Sequence, residues 1–562
     1  MSERVGFSCD GVDVAVEATP DVTLLTVLRE QLGKRSVKDG CAPQGQCGCC
    51  TVLVDGEARV ACVTPVARVA GREVTTPEGL PVAERDAIAD AFVATGGSQC
   101  GFCTPGIVVR AVAARRRGRA LDDRGLAAHL CRCTGWVTVR EAVRDPTSGP
   151  RDFAAASRRA ALEGGAPQRV GADVPLGGGG FADDTAPVDA LVAVPIPPRS
   201  DVSSEPAAGH RWVMGESLAD ARSRAGKVQG RRTSGESHPP LRPPEGWSDG
   251  VRLATSWVEP AYLEPDASWC EPGGEPTTPL ANGGAFGGKV ASLAPIAARE
   301  LADRLDRPVR VVYSREDVVR LGPKRPPIAA AARLWGRHVE VEGLVAGDTV
   351  PFDAPIAWPY AIEERGSWRR TEAVGPPTSG EARGVGLAER AVLVEGALDA
   401  AGADRQDLTR DDRARLVLLD TCAPGSSGAL AGARVHVGDA GIERVEVRVA
   451  AGDPLDATVL RSYAIGAAHM ALGWVCTEGL TVDDEGSVLD LTIRSFGVIR
   501  AAETPAIEVE ILDDPGPPLA RASDAVFAAV AAATWNAIAR DEGARPEVFP
   551  ARSTRVARAL RR

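Results

Sequence analysis

Residues 41–62 read CAPQGQCGCCTVLVDGEARVAC, and within them Cys41, Cys47, Cys50 and Cys62 are four candidate thiolate ligands. A second group follows at Cys100-Gly-Phe-Cys103 and Cys131-Arg-Cys133. Of the thirteen cysteines, ten lie before residue 134, and eight of those sit at ligand-like spacings. A chain with this feature must satisfy its thiols with disulfides, zinc or iron. Disulfides need an oxidising compartment, and the opening MSERVGFSCD has neither the charged nor the apolar region of a secretory leader. Zinc favours paired C-x-x-C knuckles, whereas the second group ends C-x-C. Iron is held well by soft thiolates, and a [2Fe-2S] cluster takes four of them.

The spacing supports iron. The first group is near the plant-type pattern of a four-residue gap, a two-residue gap and a distant fourth cysteine, with five residues in the first gap. Gly45 and Gly48 leave room for backbone amides to turn toward cluster sulfurs. Thr51–Val54, Asp55-Gly56 and Arg59–Cys62 read as a hairpin with a favoured turn, which carries Cys62 away from the other ligands and back beside them. Upstream, Val12, Val14 and Val16 alternate with polar or small residues as a half-buried strand, and Leu24, Leu25, Leu28 and Leu32 mark a helical face that Gly33 ends. Cys49 leaves the ligand register open on spacing alone. Downstream, Ala83–Ala94 and the stretch after Cys103 are helix-like, with Pro105 in a first turn, and Trp136–Val143 predicts a further helix.

The phrases GCAPQGQCGCCTVLVDG, SQCGFCTPG and CRCTG resemble the paired [2Fe-2S] domains of the xanthine dehydrogenase and aldehyde oxidoreductase family of molybdenum hydroxylases. The resemblance implies an α+β multidomain chain: a β-grasp ferredoxin-like domain over 1–78, a four-helix [2Fe-2S] domain over 79–155, a linker over 156–170, and a shortened mixed α/β molybdopterin-binding-like region over 171–562, in two subdomains. It selects Cys50 over Cys49, because eleven residues then precede Cys62. It implies two [2Fe-2S] clusters, one on Cys41, Cys47, Cys50 and Cys62, the other on Cys100, Cys103, Cys131 and Cys133. The second is expected nearest the molybdenum cofactor, with Gln99 as a pterin contact. His129 reads as a packed or solvent-facing residue, and the dispersed histidines and Cys270, Cys422 and Cys476 carry no metal-ligand spacing.

Beyond the linker the resemblance thins. Ala182-Asp183-Asp184 and the strand Leu191–Ile196 resemble the start of the large domain, and Tyr262-Leu263-Glu264-Pro265 a substrate-lining segment. Gly283-Gly284-Ala285-Phe286-Gly287-Gly288-Lys289 resembles the family's GGxFGGK loop, which makes Gly284, Phe286 and Gly287 candidate cofactor contacts. Arg383-Gly384-Val385-Gly386 is near an RGFG segment whose arginine lies at the substrate side. Aligning Trp535-Asn536-Ala537 with the late helix puts Asp524 where the family carries its glutamate base, one methylene shorter and without the flanking glycines and prolines. A misplacement of about 1 Å can cost about 10²-fold in rate. The glycine-glutamine segment that cradles the pterin is missing, since only Gln229 and Gln406 follow Gln168. A hairpin over Leu480–Phe496, a strand over Ile507–Leu512 and a helix over Val526–Ile538 are expected.

The resemblance therefore implies an iron-sulfur electron-transfer and scaffold subunit, with molybdenum on a partner chain and a flavin subunit or other acceptor beyond it. Two alternatives stand beside it. One is a self-contained hydroxylase of an aldehyde or N-heterocycle using Asp524 as base and Arg383 at the substrate, with molybdopterin of the cytosine dinucleotide type. The other is a non-catalytic iron-sulfur or redox-sensing protein. The linker leaves no room for a flavin domain, and no dinucleotide fingerprint occurs, so FAD and NAD are not expected on this chain. Net charge is -11 without a basic reading helix, which argues against nucleic acid. No run approaches about 18 apolar residues, so no membrane span is expected, and the reading is cytoplasmic. The run Arg115–Arg117 reads as a solvated helix end favoured by the dipole, rather than as a site for an acidic partner.

Overall fold

The computed structural model describes residues 3–19, 22–41, 43–144, 151–164, 168–196, 205–207, 209–226, 235–245, 247–278, 285, 287–347, 351–382 and 384–561. Gly283, Gly284, Phe286 and Arg383 lie outside the described residues.

The N-terminal sheet has five strands in the order Val12–Ala18, Glu3–Cys9, Glu73–Thr75, Thr51–Val54 and Glu57–Val60. Asp55 and Gly56 both adopt positive φ, 49° and 75°, which gives the tight turn a twist that matches the flanking strands. The leucine-rich stretch starts as one α-turn, Leu24–Thr26, capped by the Thr23 hydroxyl, and then widens into a π-turn over Val27–Gln31. Leu24, Leu25, Val27 and Leu28 close the sheet's inner face with Val52, Val54 and Val74.

Four helices follow at Val82–Thr95, Thr104–Arg116, Asp123–Leu126 and Val137–Arg144. Within the expected linker, the structure differs. Phe153–Gly164 is a helix whose first turn is capped by Asp152 Oδ1, which accepts from the amides of Ala154 and Ala155. Its alanines favour helix, and the flanking Pro and Gly residues hid that preference. Arg159 and Glu163 pair on its fully buried face, and Glu163 also accepts from the amides of Ala522 and Ser523. The stretch is thus a packed element that caps another helix.

The remainder carries three sheets. Ala267–Cys270, Val309–Val312, Leu191–Ile196, His210–Gly215 and Glu205–Ala207 form one. Glu363–Thr371, His338–Ala346, Ile328–Trp335, Val251–Thr255 and Val548–Phe549 form the second. Thr421–Pro424, Leu430–Gly438, Gly441–Ala450 and Ala506–Ile511 form the third. Between the last two pack the helices Leu387–Ala400, Ala457–Cys476 and Ala522–Glu542. The Ala522–Glu542 helix is long and apolar enough to cross a membrane, yet 94% of its apolar window is buried inside the fold. The expected Leu480–Phe496 hairpin reduces to one isolated bridge, Val482 to Val488, around the Asp483–Gly486 turn.

Buried ion pairs join the N-terminal sheet to the region beyond the four helices. Arg29 donates to Asp183 at 2.6 Å and Asp184 at 2.9 Å, Lys38 pairs with Asp184, and Arg310 reaches Glu30 and Asp183. Arg29 and Arg310 hold the Asp183 carboxyl well below the usual carboxylate range against the opposing effect of burial. The Ala-Asp-Asp segment is the acidic half of this clamp.

Candidate iron-sulfur sites and the adjoining cleft

Local structure explains how the cysteines converge. The loop before Thr51 needs left-handed backbone at Gly45 (φ 67°) and Gly48 (φ 72°), and a Cβ on Gly48 would stand 2.5 Å from His129 Nδ1. The loop folds so that the amides of Gln46 and Cys47 both point at Cys41 Sγ at 3.3 Å, and the amide of Cys62 reaches Cys50 Sγ at 3.4 Å. In the second group Cys100 and Cys133 Sγ are 3.8 Å apart, while Cys103 and Cys133 both neighbour Cys131. Cys131 Sγ also lies 3.0 Å from the Thr134 hydroxyl.

The thiols of each group are electrostatically linked. Hydrogen bonds from Cys47 and Cys62 push the Cys41 thiol down, and the same bonds push Cys47 and Cys62 up. Cys131 is likewise pushed down by Cys103 and Cys133, which are themselves pushed up. Four thiols cannot all ionise beside one another without positive charge among them, and two irons would supply that charge. Among the described residues no three Cys, His, Asp or Glu donors surround one point as for a single ion. A [2Fe-2S] cluster instead takes its thiolates two per iron. The cysteine pattern therefore fits two such clusters.

Cys49 is buried, 3.8 Å from the Cys47 carbonyl, and lies close enough to both groups to help raise Cys103. His129 is packed, with desolvation pushing it down to about 3, so it is neutral at ordinary pH. Cys9 is a core residue pushed up to about 11 by burial. Cys270, Cys422 and Cys476 are also buried.

The candidate residues of the later region are only partly brought together. Arg132, between two cysteines of the second group, lines one cavity with Glu259, Ala285, Arg325, Ala382, Glu478 and Asp524. Gly287 packs against the Glu381–Ala382 segment beside it, where a Cβ would meet the Glu381 carbonyl at 2.0 Å. Asp524 is buried in the first turn of the Ala522–Glu542 helix and also floors a cleft of ≈ 630 Å³ walled by Ile356, Trp358, Val385 and Leu430. Gln99 is elsewhere. Its side-chain amide donates to the Cys133 carbonyl at 2.8 Å and to the Ser462 hydroxyl at 2.9 Å, in a separate gap of ≈ 20 Å³.

Among the described residues the space beside the second cysteine group is too small for a pterin. The cavity between Arg132 and Asp524 is ≈ 40 Å³, and it is closed by a buried ion pair in which both Arg132 amino groups donate to the Glu478 carboxylate, one at 2.8 Å. Arg325 closes it further, donating to Glu389 at 2.6 Å while lying over the rings of Trp474 and Phe527 at 4.9 and 5.2 Å. The Ala457–Cys476 helix approaches so closely that a Cβ on Gly466 would stand 1.9 Å from the Cys133 carbonyl. The expected pterin contact, Gln99, already has both donors engaged by the polypeptide.

Sequence reasoning passed over Arg132 and Glu478. Their partnership spans 346 residues, and Arg132 stood inside CRCTG as a spacer. Lys289, closing the glycine-rich loop, bonds Glu264 at 2.5 Å, so two segments resembling the family are paired with each other. Burial pushes the Glu264 carboxyl up to about 7 despite Lys289. A carboxyl raised above its unfolded value stabilises the fold most below about 4.5 and loses that contribution as pH rises through about 7. We expect the parent protein to lose stability relative to Glu264→Gln as pH rises through that window, because the glutamine stays neutral, read by urea denaturation at stepped pH.

A family model for the [2Fe-2S] binding domain matches residues 76–144. The xanthine dehydrogenase iron-sulfur-binding subunit of Escherichia coli O157:H7 is 40% identical over 153 residues, covering 26% of this chain and 95% of that protein. The chain belongs to the xanthine dehydrogenase and aldehyde oxidoreductase family of molybdenum hydroxylases. Within this family, a nicotinate dehydrogenase component from Pseudomonas putida is 39% identical over 149 residues, covering 26% of this chain and 94% of that protein. The solved aldehyde oxidoreductase of Desulfovibrio desulfuricans shares the fold over 99% of this chain and 100% of its own, with a TM-score of 0.75 at 16% identity. The aldehyde oxidoreductase fold thus extends over 99% of this chain, whereas the two sequence relatives above align over 153 and 149 residues.

Proposed function

We propose that this chain is the iron-sulfur electron-transfer and scaffold subunit of a molybdenum hydroxylase complex, with the clusters on Cys41, Cys47, Cys50, Cys62 and on Cys100, Cys103, Cys131, Cys133. The observation that carries the reading is the closed ≈ 40 Å³ space between Arg132 and Asp524, beside the second cysteine group, which is too small for a pterin. When bound, the clusters supply one-electron transfer. The polypeptide's part is to hold eight thiolates in two buried groups, to aim amides at Cys41 and Cys50, and to keep water from the second group with the Ala457–Cys476 helix. Gln99 ties the second group to that helix through Ser462.

A second reading is favoured by two observations: the fold match runs the full length of two solved aldehyde oxidoreductase chains, and Asp524 lines a ≈ 630 Å³ cleft. In that reading the chain oxidises a small aldehyde or heterocycle itself, with Asp524 as base. Metal and pterin analysis separates the two. The proposed subunit, purified anaerobically, is expected to hold about four irons, as two [2Fe-2S] clusters require, without molybdenum or pterin until its partners are present. Stoichiometric molybdenum on the isolated chain would establish the second reading, and Asp524→Asn would then lower turnover by about 10²-fold or more. In the first reading Asp524→Asn leaves iron content and cluster reduction unchanged.

A further inference from the structure

The arginine run at the end of the Thr104–Arg116 helix does not stand alone. Arg110, Arg117, Arg119 and Arg124 line a groove of ≈ 400 Å³ whose opposite wall is Glu57 and Ala58 of the hairpin. Arg59 is near enough that, after burial, its charge helps push the Arg110 guanidinium down. Arg117 pairs with Glu57 and so ties hairpin to helix. Among the described residues the side chains of Arg59, Arg110, Arg119 and Arg124 have no carboxylate partner, and Arg110 Nε is buried without a hydrogen-bond partner. The neighbouring carboxylates are engaged: Asp122 accepts from the Gly125 amide, Asp123 pairs with Arg140, and Glu84 pairs with Arg116.

Uncompensated positive charge is unexpected on a chain of net charge -11. Its position is also particular. The hairpin strand that forms one wall leads to Cys62, the helix that forms the other begins just after Cys103, and the Arg119–Gly125 turn leads through Leu130, whose amide bonds the Cys47 carbonyl, to Cys131. Every wall of the groove is continuous with a cysteine of one group or the other. A cationic recess on a chain of net negative charge attracts an acidic body to one place, which fixes orientation as well as encounter rate.

We propose that this arginine groove is the docking surface for an acidic redox protein that exchanges electrons with this chain. The inference rests on the electron-transfer reading for its purpose, while the groove itself is tested by binding. The probe is an acidic flavodoxin, titrated against the full chain at 50 and 200 mM salt, in ranges where the Debye length falls from above to below about 10 Å. The variant Arg119→Glu/Arg124→Glu is compared with Arg337→Glu/Arg370→Glu, an equal charge change on exposed residues of the His338–Ala346 sheet region, with iron content measured in parallel. The expected result is affinity that falls with salt, falls about tenfold further in the groove variant, and is less affected in the control. Equal weakening in both variants would show attraction to net charge alone, and no weakening in the groove variant would show no docking there; either overturns the proposal. Loss of inorganic phosphate binding with flavodoxin unaffected would reduce the groove to a small-anion site and overturn it too. Absence of iron would instead defeat the electron-transfer reading, leaving the binding comparison to decide the groove.

Discussion

Arg132→Met is expected to destabilise the protein by about 3–5 kcal/mol, because it strands the Glu478 carboxylate in the interior. The side chains of Arg132 and Glu478 are 2% and 1% exposed, so solvent does not screen the loss. Burial pushes Glu478 up even with Arg132 present, which shows how far the ion pair is from water. Arg132 also donates to the Pro260 carbonyl at 3.0 Å, so the substitution removes that tie to the backbone as well. Glu478→Met should cost a similar amount by leaving the guanidinium unpaired. The double replacement should recover much of the loss, since buried pairs exchanged for apolar groups are often neutral or better. Chemical denaturation of the four proteins closes the cycle. Additive losses in the double variant would mean that the two side chains act separately and that the closed cavity is not held by their pairing.

Cys103→Ser is expected to remove about two of about four irons per chain and to leave the first group's iron in place. Cys103 is buried in a group whose other three members share hydrogen bonds through sulfur, so a hydroxyl there gives up the soft ligand without relieving the crowding of Cys131 and Cys133. Cys49→Ser is the matched control: Cys49 lies between the groups and is not among the eight proposed ligands, so iron content should hold. Iron and acid-labile sulfide assays with visible absorbance read both. Loss of iron in Cys49→Ser, with retention in Cys50→Ser, would exchange those two residues in the ligand set. The two experiments address different parts of the molecule, one the packing that closes the later region and one the metal chemistry of the first 133 residues.

The N-terminal elements were legible because their signals are local. Asp55-Gly56 between alternating strands specifies a two-residue hairpin, and Pro105 after Cys103 suits a first helical turn, so both emerge as the pattern dictates. The widened turn at Val27–Gln31 was not legible, since the leucine spacing of an α-helix and of one π-turn scarcely differ over ten residues. The Phe153–Gly164 helix was obscured by composition, with alanines that favour helix set among prolines and glycines that suggest a tether. At the candidate site, Asp524 and the glycine-rich loop were named from resemblance, and the fold does bring Ala285, Ala382 and Asp524 to one cavity. Gln99 was named on the same grounds but faces the Ala457–Cys476 helix, because Ser462 and the Cys133 carbonyl offer its amide two buried acceptors.

The sequence by itself determined the two cysteine groups, the loops that gather each one, and the family to which they belong. Spacings of a few residues and a favoured turn suffice to bring thiols together, whatever the rest of the chain does. Only the tertiary structure decided that the space beside the second group is closed, that an expected tether caps the helix bearing Asp524, and that scattered arginines share one groove. Each of these depends on partners separated by tens to hundreds of residues. Pairing of that range follows from burial and charge in the assembled fold, which no local pattern encodes.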